Sequence, residues 1–134
     1  MRISVIIPVL NEEKNIAATL AELQRLKPDE MIVVDGGSSD RTREICQRFG
    51  VEFYPSRPGR ARQMNFGAQR ASGDVLLFLH ADTRLPPSAF NDIRAALQYQ
   101  KVLGGRFDLQ LDDPRPMLKL IGFMISLRSR FSKV

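Results

Sequence analysis

The stretch MIVVDGGSSDRTREICQRFGVEFYP, residues 31–55, holds a complete strand–helix–strand unit. MIVVD is an apolar, β-branched run ending on a carboxylate, as expected of a strand covered on both faces. GGSSD follows as a loop, and Ser39 or Asp40 is placed to cap a helix over RTREICQRF. Gly50 stops that helix, and VEFYP, residues 51–55, reads as the next strand.

The same alternation extends in both directions. Upstream, ISVIIPV (residues 3–9) reads as a buried strand. Asn11 is then placed to cap a helix, with Glu12 and Glu13 in its first turn. Ile16, Leu20 and Leu23 give that helix one apolar face, and Pro28 ends it. Downstream, SRPGRAR (residues 56–62) reads as a basic loop. A helix follows in which Ala61, Met64, Ala68 and Ala71 share a face. Gly73 breaks the chain, and DVLLFLH is a fourth strand. Pro86 and Pro87 suit the first turn of a further helix with a stripe of Phe90, Ile93 and Leu97. GGRFDLQL is expected as a fifth strand, and residues 116–131 as a terminal helix. Strands alternating with amphipathic helices predict an α/β fold: a mostly parallel sheet with helices on both faces.

At 134 residues the chain is expected to form a single domain, 1–134, with no internal linker or repeat. Hydrophobic content of 43% and charged content of 26% are those of a globular protein. The one cysteine, Cys46, has no partner for an internal disulfide, which suits a reducing compartment. The N-terminus lacks a cleavage site after its apolar run, and no stretch approaches a spanning helix. A cytoplasmic location is therefore expected. The net charge of +5, carried mainly by arginine, suits either phosphate recognition or a merely basic surface.

In a parallel sheet of this kind, ligands bind outside the carboxyl ends of strands, where strand order reverses. Three predicted strands end in chemistry-bearing residues: Pro8-Val9-Leu10-Asn11-Glu12, Asp35-Gly36-Gly37-Ser38-Ser39-Asp40 and His80-Ala81-Asp82. Asp35 is placed to accept hydrogen bonds from a ribose or a base edge, and the glycines let the backbone approach a ligand. Turn and cap chemistry alone is the plainer reading of GGSSD. Asp82, ending the most apolar strand, is expected to need a partner, because an unpaired buried charge is costly. A divalent cation bridging to a diphosphate would supply one; capping of the next helix by Asp82 or Thr83 is the alternative. His80, the only histidine, is open between a metal or nucleotide contact and a structural role. No cysteine–histidine cluster supports zinc, and no P-loop or nucleophile-elbow motif is present. Arg57, Arg60 and Arg62, just ahead of Asn65, suit a diphosphate or, as the rival, RNA. Aromatics are too sparse there for a base-stacking platform.

Taken in order, SVIIPVLNEEKNI, IVVDGGSSDRT, GRARQMNFGAQRASGDVLLFLHADT and GGRF resemble the N-terminal half of family 2 glycosyltransferases, which have the GT-A fold. The closest likeness is to a bacterial branch in which the usual DxD motif is HAD, with names of the arsenosugar-biosynthesis or carotenoid-type glycosyltransferase kind. The resemblance implies a UDP-linked nucleotide-sugar donor and an inverting transfer. By the same analogy Pro8, Asn11 and Glu12 line the nucleotide pocket. Asp35, with Gly36 and Ser38, meets the uracil or ribose, and Asp40 supports that loop. Arg60 and Asn65 face the nucleotide. In the HAD segment, Asp82 binds the metal, Ala81 lies between, and His80 stands where a ribose-contacting Asp is usual. A neutral imidazole there shifts the expected cation from Mg²⁺ toward Mn²⁺.

Relatives of this kind run on past residue 134 and carry the general base downstream. The chain is therefore expected to be partial, with no base of its own; Asp108, Asp112 and Asp113 fall too early to match one. The acceptor is left as a small molecule or a lipid, with no nucleic acid partner. The apolar residues of 116–131 are expected either to be buried or to lie on the inner face of a membrane; exposed, they would favour a homo-oligomer. The alternative functions are a non-catalytic nucleotide-binding module and a basic RNA-binding domain.

Overall fold

A computed structural model describes residues 1–99 and 105 of the chain. Residues Met1–Ala96 form one compact unit, and Leu97–Val134 a second that falls almost wholly outside the described residues. The elements are β1 (Ile3–Val9), α1 (Ile16–Leu26), β2 (Glu30–Asp35), α2 (Thr42–Arg48), β3 (Glu52–Pro55), α3 (Arg60–Arg70), β4 (Val75–Phe78) and α4 (Ala89–Leu97). The predicted fifth strand and terminal helix lie outside the described residues.

The four strands form one parallel sheet in the order β3-β2-β1-β4. Growth from β1 through β2 to β3 then reverses, and the α3 crossover sets β4 on the other side of β1. Right-handed crossovers require that a reversal change faces. Accordingly α1, α2 and α4 share a core with Ile3, Val5, Ile7, Val9 and Val33, whereas α3 lies against Ile6 and Val34 on the opposite face. The expected architecture, a GT-A-type parallel sheet with helices on both faces, is the one observed. Its switch point lies between the ends of β1 and β4.

Hydrophobic burial follows this order. Ile3, Val5, Ile6 and Ile7 of β1, and Ile32, Val33 and Val34 of β2, are fully buried. Each such side chain contributes about 1.5–3 kcal/mol relative to an exposed one. The fourth strand differs from its expected two-sided burial, for Leu76 and Phe78 remain 40% and 45% exposed. They pair in register with Ser4 and Ile6 and so share the α3 face. Because α3 lies over β1 and β2, no described helix covers that side of β4.

Four local expectations change. Asn11 does not cap α1: that helix begins at Ile16, without acidic residues in its first turn, because residues 12–15 form a separate turn closed by Asn15 and Ile16 N–H groups on the Glu12 carbonyl. The helix predicted after residue 62 starts at Arg60, so Arg60 and Arg62 belong to its first turn and not to a loop. Its buried face is Gln63 and Gly67, not the alanine-rich one, since close packing on the sheet selects the residue without a side chain. Pro86 and Pro87 precede α4, and the Pro86 carbonyl accepts the Ala89 N–H.

Candidate functional site

The loops after β1 and β2 are laced to each other at the carboxyl edge. Asn11 adopts a left-handed conformation at φ 52°, which turns its side chain toward the neighbouring loop. Its Oδ1 accepts the Ser39 N–H at 2.8 Å, and its own N–H donates to Ser38 Oγ at 2.9 Å. Ser38 in turn donates its hydroxyl to Asp35 Oδ1 at 2.5 Å and its N–H to both Asp35 oxygens at 3.1 and 3.2 Å. Asp35 is 6% exposed, and this Ser38 clamp fixes the direction of its carboxylate at the end of β2. An ionised carboxylate has about four lone-pair sites, so Asp35 keeps capacity for a ligand.

A second set of bonds lies beneath. Asp40 accepts the Thr42 hydroxyl at 2.5 Å, the Thr42 N–H at 2.9 Å and the Glu13 N–H at 3.1 Å. Thr42 Oγ1 accepts the Glu12 N–H at 2.9 Å, and Glu13 accepts the Arg41 N–H at 3.1 Å. Burial pushes the Asp40 carboxyl upward, but these hydrogen bonds outweigh it and hold the group below its ordinary range. Neither Ser39 nor Asp40 is the N-cap of α2, a position held by Arg41 without a side-chain cap bond; Asp40, one residue earlier, accepts from Thr42 and ties the helix start to the β1 loop.

Across the switch point, the Leu79 N–H donates to the Ile6 carbonyl at 2.9 Å and carries the chain one step past β4. Ala81 is buried, and its carbonyl accepts the hydroxyl of Thr19 from α1. That bond fixes the turn and leaves His80 and Asp82 on either side, both exposed. The expectation that burial would force a partner on Asp82 does not hold, because the strand ends at Phe78 and the turn delivers the carboxylate to solvent. Among the described residues its one side-chain hydrogen bond is accepted from Thr83 Oγ1, at 3.4 Å from Oδ1. Neither Asp82 nor Thr83 caps α4, which starts only at Ala89.

Among the described residues no group of three or more metal-ligating side chains converges. The donor set fits a hard cation that keeps its own waters and takes one carboxylate from the protein, with phosphate oxygens supplying the rest. Asp82 is suited to that role by its exposure and by having, among the described residues, only the long Thr83 bond.

The structure thus links Asn11, Glu12, Asp35, Ser38 and Asp40 by hydrogen bonds at the ends of β1 and β2, with Gly36 bonded to Val9 and Pro8 still within β1 opposite Val34; His80, Ala81 and Asp82 lie in the turn after the adjacent strand. Arg60 stands at the start of α3, and among the described residues Arg57, Arg60 and Arg62 enter no ion pair. Asn65 is exposed, roughly 200° around α3 from Gln63 at 100° per residue. Gln63 was not expected here. It is 4% exposed and donates Nε2 to the carbonyls of Val9 at 2.8 Å and Val34 at 2.9 Å. No local pattern in the sequence marks it, because Gln63 lies off the alanine-rich face and its neighbours one and two turns away include Arg60 and Arg70.

Residues 4–132 match the family model described as Glycosyl transferase family 2. The chain belongs to glycosyl transferase family 2. Within this family it is 37% identical over 98 residues to an undecaprenyl-phosphate 4-deoxy-4-formamido-L-arabinose transferase of Pectobacterium carotovorum, covering 63% of this chain and 30% of that one. It is 37% identical over 92 residues to a 4,4'-diaponeurosporenoate glycosyltransferase of Staphylococcus haemolyticus, covering 62% and 24%. Among solved structures, Mycobacterium tuberculosis glucosyl-3-phosphoglycerate synthase in complex with Mn²⁺, UDP and glucosyl-3-phosphoglycerate superposes with a TM-score of 0.64 at 28% identity, over 73% of this chain and 40% of that one. The S. aureus protein TarS, residues 1–349, gives 0.66 at 25% identity, over 82% and 39%. The chain spans about 30% of the length of the first curated relatives it matches. Among the described residues no helix is long and apolar enough to cross a membrane.

Proposed function

We propose that residues 1–134 are the donor-binding part, as one domain, of an inverting glycosyltransferase that takes a UDP-linked sugar with a divalent cation. The observation that carries this reading is the placement on one carboxyl edge of the sheet of a buried, serine-clamped carboxylate, Asp35 at the end of β2, and an exposed one, Asp82 in the turn after β4. Asp35, held by Ser38, is built to accept hydrogen bonds from a uracil or ribose. Asp82, exposed and bonded among the described residues only to Thr83, is suited to the cation at the diphosphate. The solved relative that contains both Mn²⁺ and UDP shares this part of the fold, which supports the assignment. Continuity of the family match through residue 132 supports treating 1–134 as one domain.

Pro8, Asn11 and Glu12 line the nucleotide side, with Gly36 giving close backbone approach and Asp40 holding the loop. Arg60, at the start of α3, is placed to meet phosphate, whereas Asn65, about 140° around the helix from it at 100° per residue, points elsewhere and is not assigned a nucleotide contact. The acceptor hydroxyl attacks the anomeric carbon while the bond from that carbon to the diphosphate oxygen breaks. The electron pair leaves with the diphosphate, and the acceptor proton passes to a base that we assign to none of the described residues. When bound, the cation supplies charge neutralisation of the departing diphosphate. We assign the chain to the branch with the HAD variant on the His80-Ala81-Asp82 segment alone, and on the same ground expect Mn²⁺ in preference to Mg²⁺. The relatives' names, one with a lipid phosphate and one with a phosphoglycerate, support a small-molecule or lipid acceptor. With a lipid, the enzyme would work at the inner face of a membrane from the cytoplasm, alone or as a homo-oligomer. Membership of family 2 favours this reading over RNA binding or a non-catalytic module.

Calorimetric titration of UDP into the chain, with Mn²⁺ and again with EDTA, tests it. Binding should require the cation and weaken about tenfold or more in Asp82→Ala, the loss expected when a metal contact goes. Metal-independent binding, or none in a folded sample, refutes the donor site. RNA binding with a steep salt slope, unaffected by Asp82→Ala, would support the rival reading instead.

A further inference from the structure

One side chain holds the last carbonyl of β1 and the next-to-last carbonyl of β2, where the two loops leave the sheet. Val9 precedes Leu10 and Asn11; Val34 precedes Asp35. The two N–H bonds of the Gln63 amide go to the Val9 and Val34 carbonyls at 2.8 and 2.9 Å, and its Oε1 accepts the Gly59 N–H at 3.2 Å. A primary amide has two donors on nitrogen and an acceptor on oxygen, so this assignment of N and O is the one that satisfies all three partners. The side chain is 4% exposed, and water cannot easily take its place. Around it the backbone is close: the Gly36 N–H donates to the same Val9 carbonyl at 2.9 Å, and a Cβ on Gly36 would lie 2.8 Å from Gln63 Oε1. One amide thereby joins the end of β1, the end of β2 and the start of α3, which begins with Arg60.

We infer that Gln63 is a positioning residue for the donor site, fixing the Asn11 and Asp35 loops relative to each other and to the arginine at the start of α3. It touches neither donor nor cation in this reading; it acts through Val9, Val34 and Gly59. The role in donor binding rests on the function proposed above, whereas the clamp on the two loops does not. The clamp also explains why Gly36 carries no side chain. Any Cβ there would push the pinned amide off its carbonyls.

The test has one arm without ligand and one with UDP and Mn²⁺. In Gln63→Leu the shape is nearly kept but the bonds are lost. Amide exchange at Gly36 and Ser38 should speed up about tenfold, the effect of losing roughly one hydrogen bond, while Val5 and Ile6 in the centre of β1 stay as in the wild type. UDP should bind about tenfold more weakly, equivalent to about 1.4 kcal/mol. Gln63→Glu adds a readout that simple loss of stability would not move. A carboxylate facing two carbonyls is disfavoured, so its pKa rises; once neutral, it donates to one carbonyl and accepts from Gly59. Its UDP affinity relative to wild type should therefore be poor near about pH 8 and recover near about pH 5.5. Gly36→Ala should reproduce the weaker binding, and Gly36→Ala combined with Gln63→Ala should be no worse than Gln63→Ala alone.

A lowered melting temperature with unchanged exchange and unchanged UDP affinity would reduce Gln63 to a stabilising core residue and overturn the inference. A Gln63→Glu deficit independent of pH, or strict additivity with Gly36→Ala, would do the same. If the wild-type chain itself fails to bind UDP, the proposed function falls. The ligand-free exchange then still decides the clamp: unchanged rates at Gly36 and Ser38 refute it.

Discussion

Replacing Gly67 with alanine pits two effects of opposite sign against each other. Gly67 is buried in α3 where that helix meets the sheet. An ideal Cβ there would lie 2.6 Å from Ile6 Cγ2 and 3.1 Å from Val34 Cγ2. Carbon atoms pack at about 3.5–4.0 Å, so the first contact is short by roughly 1 Å. Ile6 and Val34 are both fully buried and belong to adjacent central strands, so neither can move aside without disturbing the sheet. Overpacking of this kind costs about 1–3 kcal/mol. Against it, alanine is favoured over glycine in a helix by roughly 1 kcal/mol. The two terms leave Gly67→Ala destabilised by about 0–2 kcal/mol, and the 2.6 Å contact puts it toward the upper end, with α3 displaced outward. Urea unfolding followed by far-UV circular dichroism measures it. A cycle with Ile6→Ala, which removes the offending methyl, should recover about 1 kcal/mol or more of coupling. A Gly67→Ala chain more stable than wild type would mean helix propensity prevails and the close approach of α3 to β1 is not as described. The test bears on function too, since Arg60 and Gln63 both ride on α3.

Asn11→Ala should be less stable than Asn11→Gly by about 1 kcal/mol in urea melts, because only glycine accepts the left-handed φ of 52° without strain; equal stabilities would argue against that backbone. Asp40, held below its ordinary 3.8 by hydrogen bonds that outweigh burial, binds fewer protons folded than unfolded. Its contribution is complete above pH 3.8 and is lost as pH falls through its lower folded value, so Asp40→Asn should flatten the acid limb of the pH–stability curve below that point. Cys46 is fully buried, and burial, with the Asp35 charge adding to it, pushes its thiol up to about 11. A thiol reagent near neutral pH should leave the native chain unlabelled and report only unfolding; rapid native labelling would contradict that burial.

Much of the fold could be read along the chain because it is local. The β-branched runs at 3–9 and 31–35, broken by Pro28 and Gly50, marked strands and helix ends that the structure places within a residue or two. The same reading put Asp35, His80 and Asp82 at strand ends, since a strand's end is fixed by its own composition. Errors arose where a residue's partner lies far away in sequence. Asn11 looked like a helix cap by its position ahead of Glu12, yet its side chain serves a loop 28 residues on. Asp82 looked buried because the run before it is apolar, whereas the turn exposes it.

By itself the sequence determined the alternation of strands and helices, hence a parallel sheet with its ligand edge at the carboxyl ends, and the carboxylates carried there. Only the tertiary structure decided which loops meet. The reversal of strand order at β1 and β4 sets the HAD turn opposite the Asn11 loop and leaves Leu76 and Phe78 uncovered. It also brings Gln63 of α3 under carbonyls 54 and 29 residues away. Periodicity records which way a side chain points relative to its own element. Hydrogen bonds between loops depend on how whole elements pack, and no local pattern encodes that.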